Sequence, residues 1–220
     1  MRKLFFLAIQ IFFFSCSSSE TNQQTTRTSQ VSKFKNLLTK YKDISFDTLQ
    51  VFSSGDLESN QYKFKGTQLD SADVLLFPNE LAEQYVNDNG YFGTYKFAID
   101  STRIGLITRT PSTYEPSSIK LLILDKRKDA ITDIVELAET FGDAGDMAEK
   151  ISWLFQSEHK TYKSFTWIEE SHDNSVDDEN DTTIQTWNSY YLLDLSKAKI
   201  DTVSEDEKEL VKRFRNLLKQ

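Results

Sequence analysis

The stretch that decides the fold is residues 119–137, which read IKLLILDKRKDAITDIVEL. Ile119, Leu121 and Ile123 recur at a period of two, and the same period returns at 131, 133, 135 and 137 after the charged residues 126–129. Two alternating segments on either side of a short polar turn are typical of a β-hairpin, because successive side chains of a strand point to opposite faces. The sequence therefore predicts an antiparallel strand pair here.

Strand patterns continue on both sides of this hairpin. No long helical pattern intervenes between them, which argues against a parallel sheet built from β-α-β units and favours antiparallel pairing. No repeat period and no Pro/Gly-rich linker divides residues 31–220. We therefore predict one domain over 31–220, mainly β or α+β at the margin, built as a single antiparallel sheet or a half-open barrel. The further strands are expected at 46–52, 61–65, 93–99, 102–110, 150–155, 162–170 and 183–194.

Three helices are expected to pack on this sheet. Residues 30–42 carry apolar side chains at helical spacing, and this helix either covers the core or lies on a membrane surface. A short helix at 79–87 follows Pro78. The last, at 205–218, has a clear apolar stripe, and Ser204 and Glu207 stand at the spacing of a capping box.

Composition and charge exclude several classes of protein. The chain has 220 residues, of which 38% are hydrophobic, so it can bury a core. Its net charge of −8 disfavours binding to nucleic acid, because such proteins need a basic surface to neutralise phosphates. One cysteine rules out an intramolecular disulfide framework and a Cys-rich metal site.

The N-terminal segment carries a targeting signal. Arg2 and Lys3 precede an apolar run at 4–14, which is too short to span a bilayer as a helix. Small polar residues follow, and the only cysteine, Cys16, stands at the end of the run. This order of charged, apolar and small residues is that of a secretory signal.

The residues Phe13-Phe14-Ser15-Cys16 resemble the signal peptidase II site of bacterial lipoproteins, in the form found in Bacteroidota; no family is indicated for the folded domain. The resemblance implies that residues 1–15 are a signal peptide and that Cys16 carries acyl chains such as palmitate. It also implies an outer-membrane anchor, since Ser17 follows the cysteine. Glu20 is the only acidic residue in the stretch just after Cys16, and this scarcity of acidic residues favours the periplasmic face of the membrane. Residues 16–30 lack apolar side chains after Cys16 and are expected to form a flexible tether.

Two acidic segments are candidate turns or metal sites. Residues 169–181 hold seven carboxylates and no lysine or arginine. Clustered carboxylates suit calcium, with Asp173, Asp177, Asp178 and Asp181 as candidates, but the segment lacks the EF-hand pattern, and a solvated, self-repelling surface loop is the more ordinary explanation. The segment 142–146, with two glycines and two aspartates, predicts a tight turn.

Catalytic motifs are not evident in the sequence. The two histidines, His159 and His172, do not form an HExxH motif, and G-x-S-x-G, GxGxxG and Walker A patterns are missing. We therefore expect a protein that is not an enzyme and uses no cofactor. A hydrolase whose acidic catalytic residues cannot be singled out is the alternative.

Aromatic residues are dense in 153–191. Trp153, Trp167, Trp187 and Tyr191 lie on three consecutive predicted strands and form either part of the core or an exposed face for a peptide, glycan or acyl chain. Taken together, these features predict a membrane-anchored lipoprotein that serves as a non-catalytic binding or envelope-assembly module, with an envelope protein as its partner. A carrier of a small hydrophobic ligand is a further alternative.

Overall fold

The computed structural model describes residues 31–57, 59–83, 90–112 and 118–219. They form a mainly β structure in which one mixed sheet of 11 strands does not close on itself, so the fold-class prediction is confirmed. The helices among them are α1 (Lys35–Leu38), α2 (Ser71–Val74), α3 (Asn79–Ala82) and α4 (Glu207–Phe214). The strands are β1 (Lys42–Asp43), β2 (Thr48–Val51), β3 (Thr67–Gln68), β4 (Phe92–Ala98), β5 (Arg103–Thr110), β6 (Ser118–Asp125), β7 (Ala130–Asp143), β8 (Asp146–Gln156), β9 (Tyr162–Asp173), β10 (Ile184–Asp194) and β11 (Asp201–Ser204).

The hairpin at 119–137 lies in the middle of the sheet as β6 and β7. The Asp125 carboxylate accepts hydrogen bonds from the backbone N–H groups of Arg127 (2.8 Å) and Lys128 (3.2 Å), which fixes the predicted turn. β7 runs beyond its predicted end at Leu137 to Asp143, because its second half leaves β6 and pairs with β8. Only β1 departs from antiparallel pairing among the described strands, since it lies parallel to β4.

The sheet curls around an inner core. Four strands separate β4 from β9 in the sheet order, yet the rings of Phe97 and Tyr162 lie 4.9 Å apart between their centroids. Phe46, which precedes β2, packs against both rings. The two halves of the sheet therefore face each other, as in a half-open barrel. Large apolar side chains fill the inner core: Leu49, Val51, Tyr62, Phe64, Phe97, Ile99, Ile107, Ile119, Leu121, Ile123, Leu137, Leu154, Leu193 and Leu195.

Helices cover the outer face of both halves. The segment containing α1, α2 and α3 packs on β5 and β6, and α4 packs on β8, β9 and β10. Each contact buries apolar side chains from both elements, which is the main source of stability for helices this short. The α4 contact joins Leu210 and Phe214 to Trp153, Phe165 and Leu192.

The first predicted helix, at 30–42, is much shorter in the structure. It is regular only over Lys35–Leu38, and Val31, at the start of its apolar stripe, is 70% exposed. After Leu38 the chain turns into the sheet, where the Tyr41 hydroxyl forms a hydrogen bond of 2.8 Å with the Thr108 hydroxyl. The apolar spacing therefore reflects core contacts made by a turn and a strand as well as by a helix.

The other two predicted helices begin or end at different residues in the structure. The helix predicted at 79–87 is regular over Asn79–Ala82, and residues 84–87 lie outside the described residues. The helix predicted at 205–218 is regular over Glu207–Phe214. Its N-cap is Asp206, whose carboxylate accepts a hydrogen bond from the backbone N–H of Glu209, so the capping-box prediction at Ser204 was wrong. Ser204 instead ends β11.

The segment 61–65 forms turns rather than a strand: the backbone N–H of Tyr62 donates to the Ser59 carbonyl (3.0 Å) within a turn instead of to a neighbouring strand, although Tyr62 and Phe64 both enter the inner core. The signal peptide at 1–15 and the tether at 16–30, including Cys16, lie outside the described residues.

Candidate functional site

One end of the sheet extends beyond the core clusters. It comprises residues 139–149 of β7 and β8 and residues 169–188 of β9, β10 and their connecting loop, and we call it the acidic end. None of these residues, all of which the structure describes, belongs to the core clusters. The side chains at this end therefore lie outside the packed apolar cores of the domain.

A row of paired residues crosses the four strands of the acidic end. Phe141 pairs with Ala148, Ala148 with Glu170, and Glu170 with Trp187. Directly paired residues of antiparallel strands point to the same face, so these four side chains share one face. Trp187 is 50% exposed and is paired directly with Glu170 across the two strands. The row places an open aromatic ring next to a negative charge.

Two residues closer to the β7–β8 turn, the paired residues Asp146 and His172 form a charged bridge. His172 lies with Nδ1 2.7 Å from a carboxylate oxygen of Asp146 and Nε2 3.1 Å from one of Asp177. The bridge connects the β7–β8 turn to the β9–β10 loop. Gly145, at φ 92°, closes the turn, and a Cβ atom there would meet Val176 at 2.6 Å, so the two loops are in close contact. The tight turn predicted at 142–146 is thus present.

The bridge predicts a pH dependence. Hydrogen bonds to Asp146 and Asp177 raise the pKa of His172 above its ordinary value of about 6.5. Because the folded state holds the proton more tightly, the stabilisation is complete below pH ~6.5 and is lost as the pH rises through the higher folded-state pKa. We expect an NMR titration of the His172 imidazole to show a midpoint above ~6.5.

The matched variants for this titration are Asp146→Asn and Asp177→Asn. Each removes one negative partner, so each lowers the midpoint toward the ordinary value. A wild-type midpoint at or below ~6.5 contradicts the bridge.

The acidic end is strongly and uniformly negative. Residues 139–149 and 164–196 contain no lysine or arginine. Several apolar side chains stand exposed among the carboxylates, including Met147, Val176 and Ile184. Such a surface attracts cations and offers them aromatic and apolar contacts. The acidic residues are Glu139, Asp143, Asp146, Glu149, Glu169, Glu170, Asp173, Asp177, Asp178, Glu179 and Asp181.

The lysines nearest to this surface are already paired. Lys120 donates to the Glu136 carboxylate at 2.8 Å, and Lys150 donates to the other oxygen of the same group. Burial raises the pKa of Glu136, but the hydrogen bonds from both lysines outweigh burial and lower it to about 2. Glu136 therefore remains ionised at neutral pH and offsets the positive charge of Lys150. The acidic end keeps its negative potential.

The structure does not bring the four aromatic candidates to one face. Trp153 is 2% exposed and belongs to the core under α4, so its assignment to a ligand face was wrong. Trp167 lies on the same outer face and donates its indole N–H to the Asn188 side chain at 2.6 Å. Trp187 and Tyr191 point to the opposite face, because they alternate with Tyr190 and Leu192 along β10.

The four calcium candidates do not converge either. Asp173, Asp178 and Asp181 each accept hydrogen bonds from residues two positions further along the loop, and Asp177 binds His172. In the part of the chain that the structure describes, no group of three or more His, Cys, Asp or Glu side chains is placed to hold a metal ion. The carboxylates stabilise their own loop.

Sequence reasoning missed Phe141, the pairing of Glu170 with Trp187 and the His172 bridge. The lack of positive charge in 164–196 is visible in the sequence, but the row that contains Trp187 depends on the pairing register of four strands.

A groove of 490 Å³ lies away from the acidic end, between α1 and α2. It is lined by residues of both signs of charge, including Lys40 and Asp73.

The chain matches no protein-family model, no curated protein and no solved structure. Across the described residues, the structure contains no helix with the length and hydropathy needed to cross a membrane.

Proposed function

We propose that this protein is a lipid-anchored, non-catalytic binding module of the cell envelope that holds a basic partner protein at its acidic end. The observation that supports this most strongly is the exposed Trp187 ring within a surface of carboxylates that contains no lysine or arginine. A lysine or arginine of the partner gains from the ring face and from the neighbouring charge together.

The proposal assigns separate roles to the two parts of the chain. Acyl chains on Cys16 hold the protein at the periplasmic face of the outer membrane, and the tether at 16–30 lets the domain reach its partner. The acidic domain itself has no attraction to anionic lipid, so the lipid must provide the membrane attachment.

The attachment is tested by replacing Cys16 with serine. We expect the wild-type protein to require detergent for release from membranes and the Cys16→Ser protein to leave the membrane fraction without detergent. A Ser18→Ala variant, which changes a neighbouring tether residue, should behave as wild type. Retention of Cys16→Ser in the membrane would contradict the lipid anchor.

The binding surface is tested with a synthetic peptide in which lysine alternates with threonine. Its affinity for the full chain is measured by fluorescence anisotropy. We expect Trp187→Ala and Glu170→Gln each to weaken binding roughly fivefold, which corresponds to about 1 kcal/mol, and added salt to weaken it further.

Controls for this measurement lie far from the acidic end in sequence and on other elements. Leu75→Ala removes an exposed apolar side chain next to α2, and Glu80→Gln removes an exposed carboxylate of α3. Both should leave the affinity unchanged. Equal losses in all four variants, or binding that does not respond to salt, would rule out the acidic end as the recognition surface.

A further inference from the structure

The outer edge of β10 is open over most of its length. One edge of β10 pairs with β9 from Ile184 to Asp194, whereas β11 covers the other edge only from Leu192 to Asp194. Residues 184–191 therefore have backbone N–H and C=O groups on one side that meet no strand of the described structure. All eight are exposed or half-exposed.

This edge lacks the usual protection against pairing. Natural edge strands are commonly blocked by lysine, proline, a bulge or a covering loop. Residues 184–191 read Ile-Gln-Thr-Trp-Asn-Ser-Tyr-Tyr, without proline, glycine or charge, and their pairing with β9 is continuous. The β-branched and aromatic side chains favour an extended neighbour.

A groove marks the position of the missing strand. β11 ends at Ser204, and the chain then turns away into α4. An open groove of 370 Å³ lies between Asn188–Tyr191 and the residues just after β11, Glu205 and Glu207. A strand placed there would continue the line of β11 along β10.

The charges around the edge favour a basic occupant. Glu205 and Glu207 line the groove, and Glu169 and Glu170 lie opposite Asn188 and Trp187 on β9. Burial, together with the charges of Glu207 and Glu169, raises the pKa of Tyr190, which is consistent with a negative potential at this position.

A second copy of the chain fits poorly. Antiparallel pairing of two β10 edges would place the Ile184 end of one copy beside the Tyr191 end of the other. The carboxylates of the 173–181 loop would then approach Glu205 and Glu207 of the second copy, and like charges at close range repel.

We propose that the open edge of β10 at residues 184–191 accepts an extended, lysine- or arginine-containing segment of the partner protein as an added antiparallel strand. This inference rests on the proposed function and specifies how the basic partner is held. Backbone hydrogen bonds to β10 supply affinity, and the carboxylates that flank the edge select for positive side chains.

The test compares three forms of the lysine–threonine peptide that carry the same charges. One is unmodified, one is N-methylated on alternate peptide nitrogens, and one is N-methylated on every peptide nitrogen. An added strand donates hydrogen bonds from one edge only, so the alternate form still presents a complete edge to β10 and the fully methylated form presents none. Affinities for the full chain are measured by fluorescence anisotropy.

We expect the unmodified and alternately methylated peptides to bind within about threefold of each other, and the fully methylated peptide to bind at least tenfold more weakly, as expected for the loss of several hydrogen bonds. Equal binding of all three would overturn strand addition while leaving charge-based recognition intact. No binding of the unmodified peptide would overturn the proposed function as well.

Discussion

Replacing Trp153 with alanine is expected to lower the free energy of unfolding by about 4 kcal/mol, the size typical of a large buried aromatic residue. The Trp153 ring is 2% exposed and stacks on Phe165 with 5.5 Å between centroids. Phe165 in turn stacks on Phe214 of α4 at 4.2 Å. Removing the indole leaves a cavity between the sheet and α4, because neither element is free to collapse onto the other.

The matched control is Trp187→Ala. It makes the same change in side-chain size at a position that is half exposed and outside the core. We expect a change within about 0.5 kcal/mol. Urea unfolding monitored by circular dichroism measures both variants. If the two substitutions cost the same, the division of the tryptophans between core and surface is incorrect.

A second large effect is expected at Arg103, whose guanidinium holds the curled sheet together. It donates hydrogen bonds to the carbonyls of Ser196 and Lys197 after β10 and forms an ion pair of 2.7 Å with Asp100. Its side chain is only 11% exposed. Four strands lie between β5 and β10 in the sheet, so these bonds join parts of the sheet that only the curl brings together.

Arg103→Ala should therefore lower the free energy of unfolding by about 3 kcal/mol, because carbonyl groups and a carboxylate lose a charged partner. Arg103→Lys should recover part of the loss, since one ammonium group cannot reach all of these acceptors with the same geometry. Arg127→Ala, in the exposed β6–β7 turn, is the control and should change stability by less than about 0.5 kcal/mol. A similar small effect at Arg103 would show that the curl does not depend on this contact.

Much of the sheet could be predicted from the sequence. The hairpin at 119–137 forms close to its predicted position, and β6 is buried on both faces, with Leu121 and Ile123 in the inner core and Leu122 in the outer core. The short strands β1, β3 and β11 were missed. Two of them have only two residues, too few for a periodic pattern. Their pairing is set by the surrounding fold.

The helices show a different limit of sequence reasoning. Apolar residues at helical spacing identify a segment that faces a core, but a turn followed by a strand satisfies the same pattern over a short range. At α1 the chain leaves the helix after Leu38, and Tyr41 still enters the outer core. The stripe at 205–218 predicted the buried residues Leu210 and Phe214 correctly, although regular helix ends at Phe214.

The site could be predicted only in part. The sequence identified Trp187 and the acidic segment, because aromatic density and missing positive charge are local properties. It could not separate Trp187 from Trp153, since both occur on strands of similar pattern, whereas in the fold Trp153 lies under α4 and Trp187 lies on the opposite face outside the core clusters. The partnership of Trp187, Glu170 and Phe141 likewise depends on strand order and register.

The most direct test of the account is a residue-resolved map of where the lysine–threonine peptide binds the full chain, obtained from amide chemical shifts. The account predicts that perturbed amides cluster in β9 and β10 between residues 168 and 191, with the Trp187 indole N–H among the perturbed signals. Perturbations confined to the groove between α1 and α2, or to any region away from the acidic end, would contradict it.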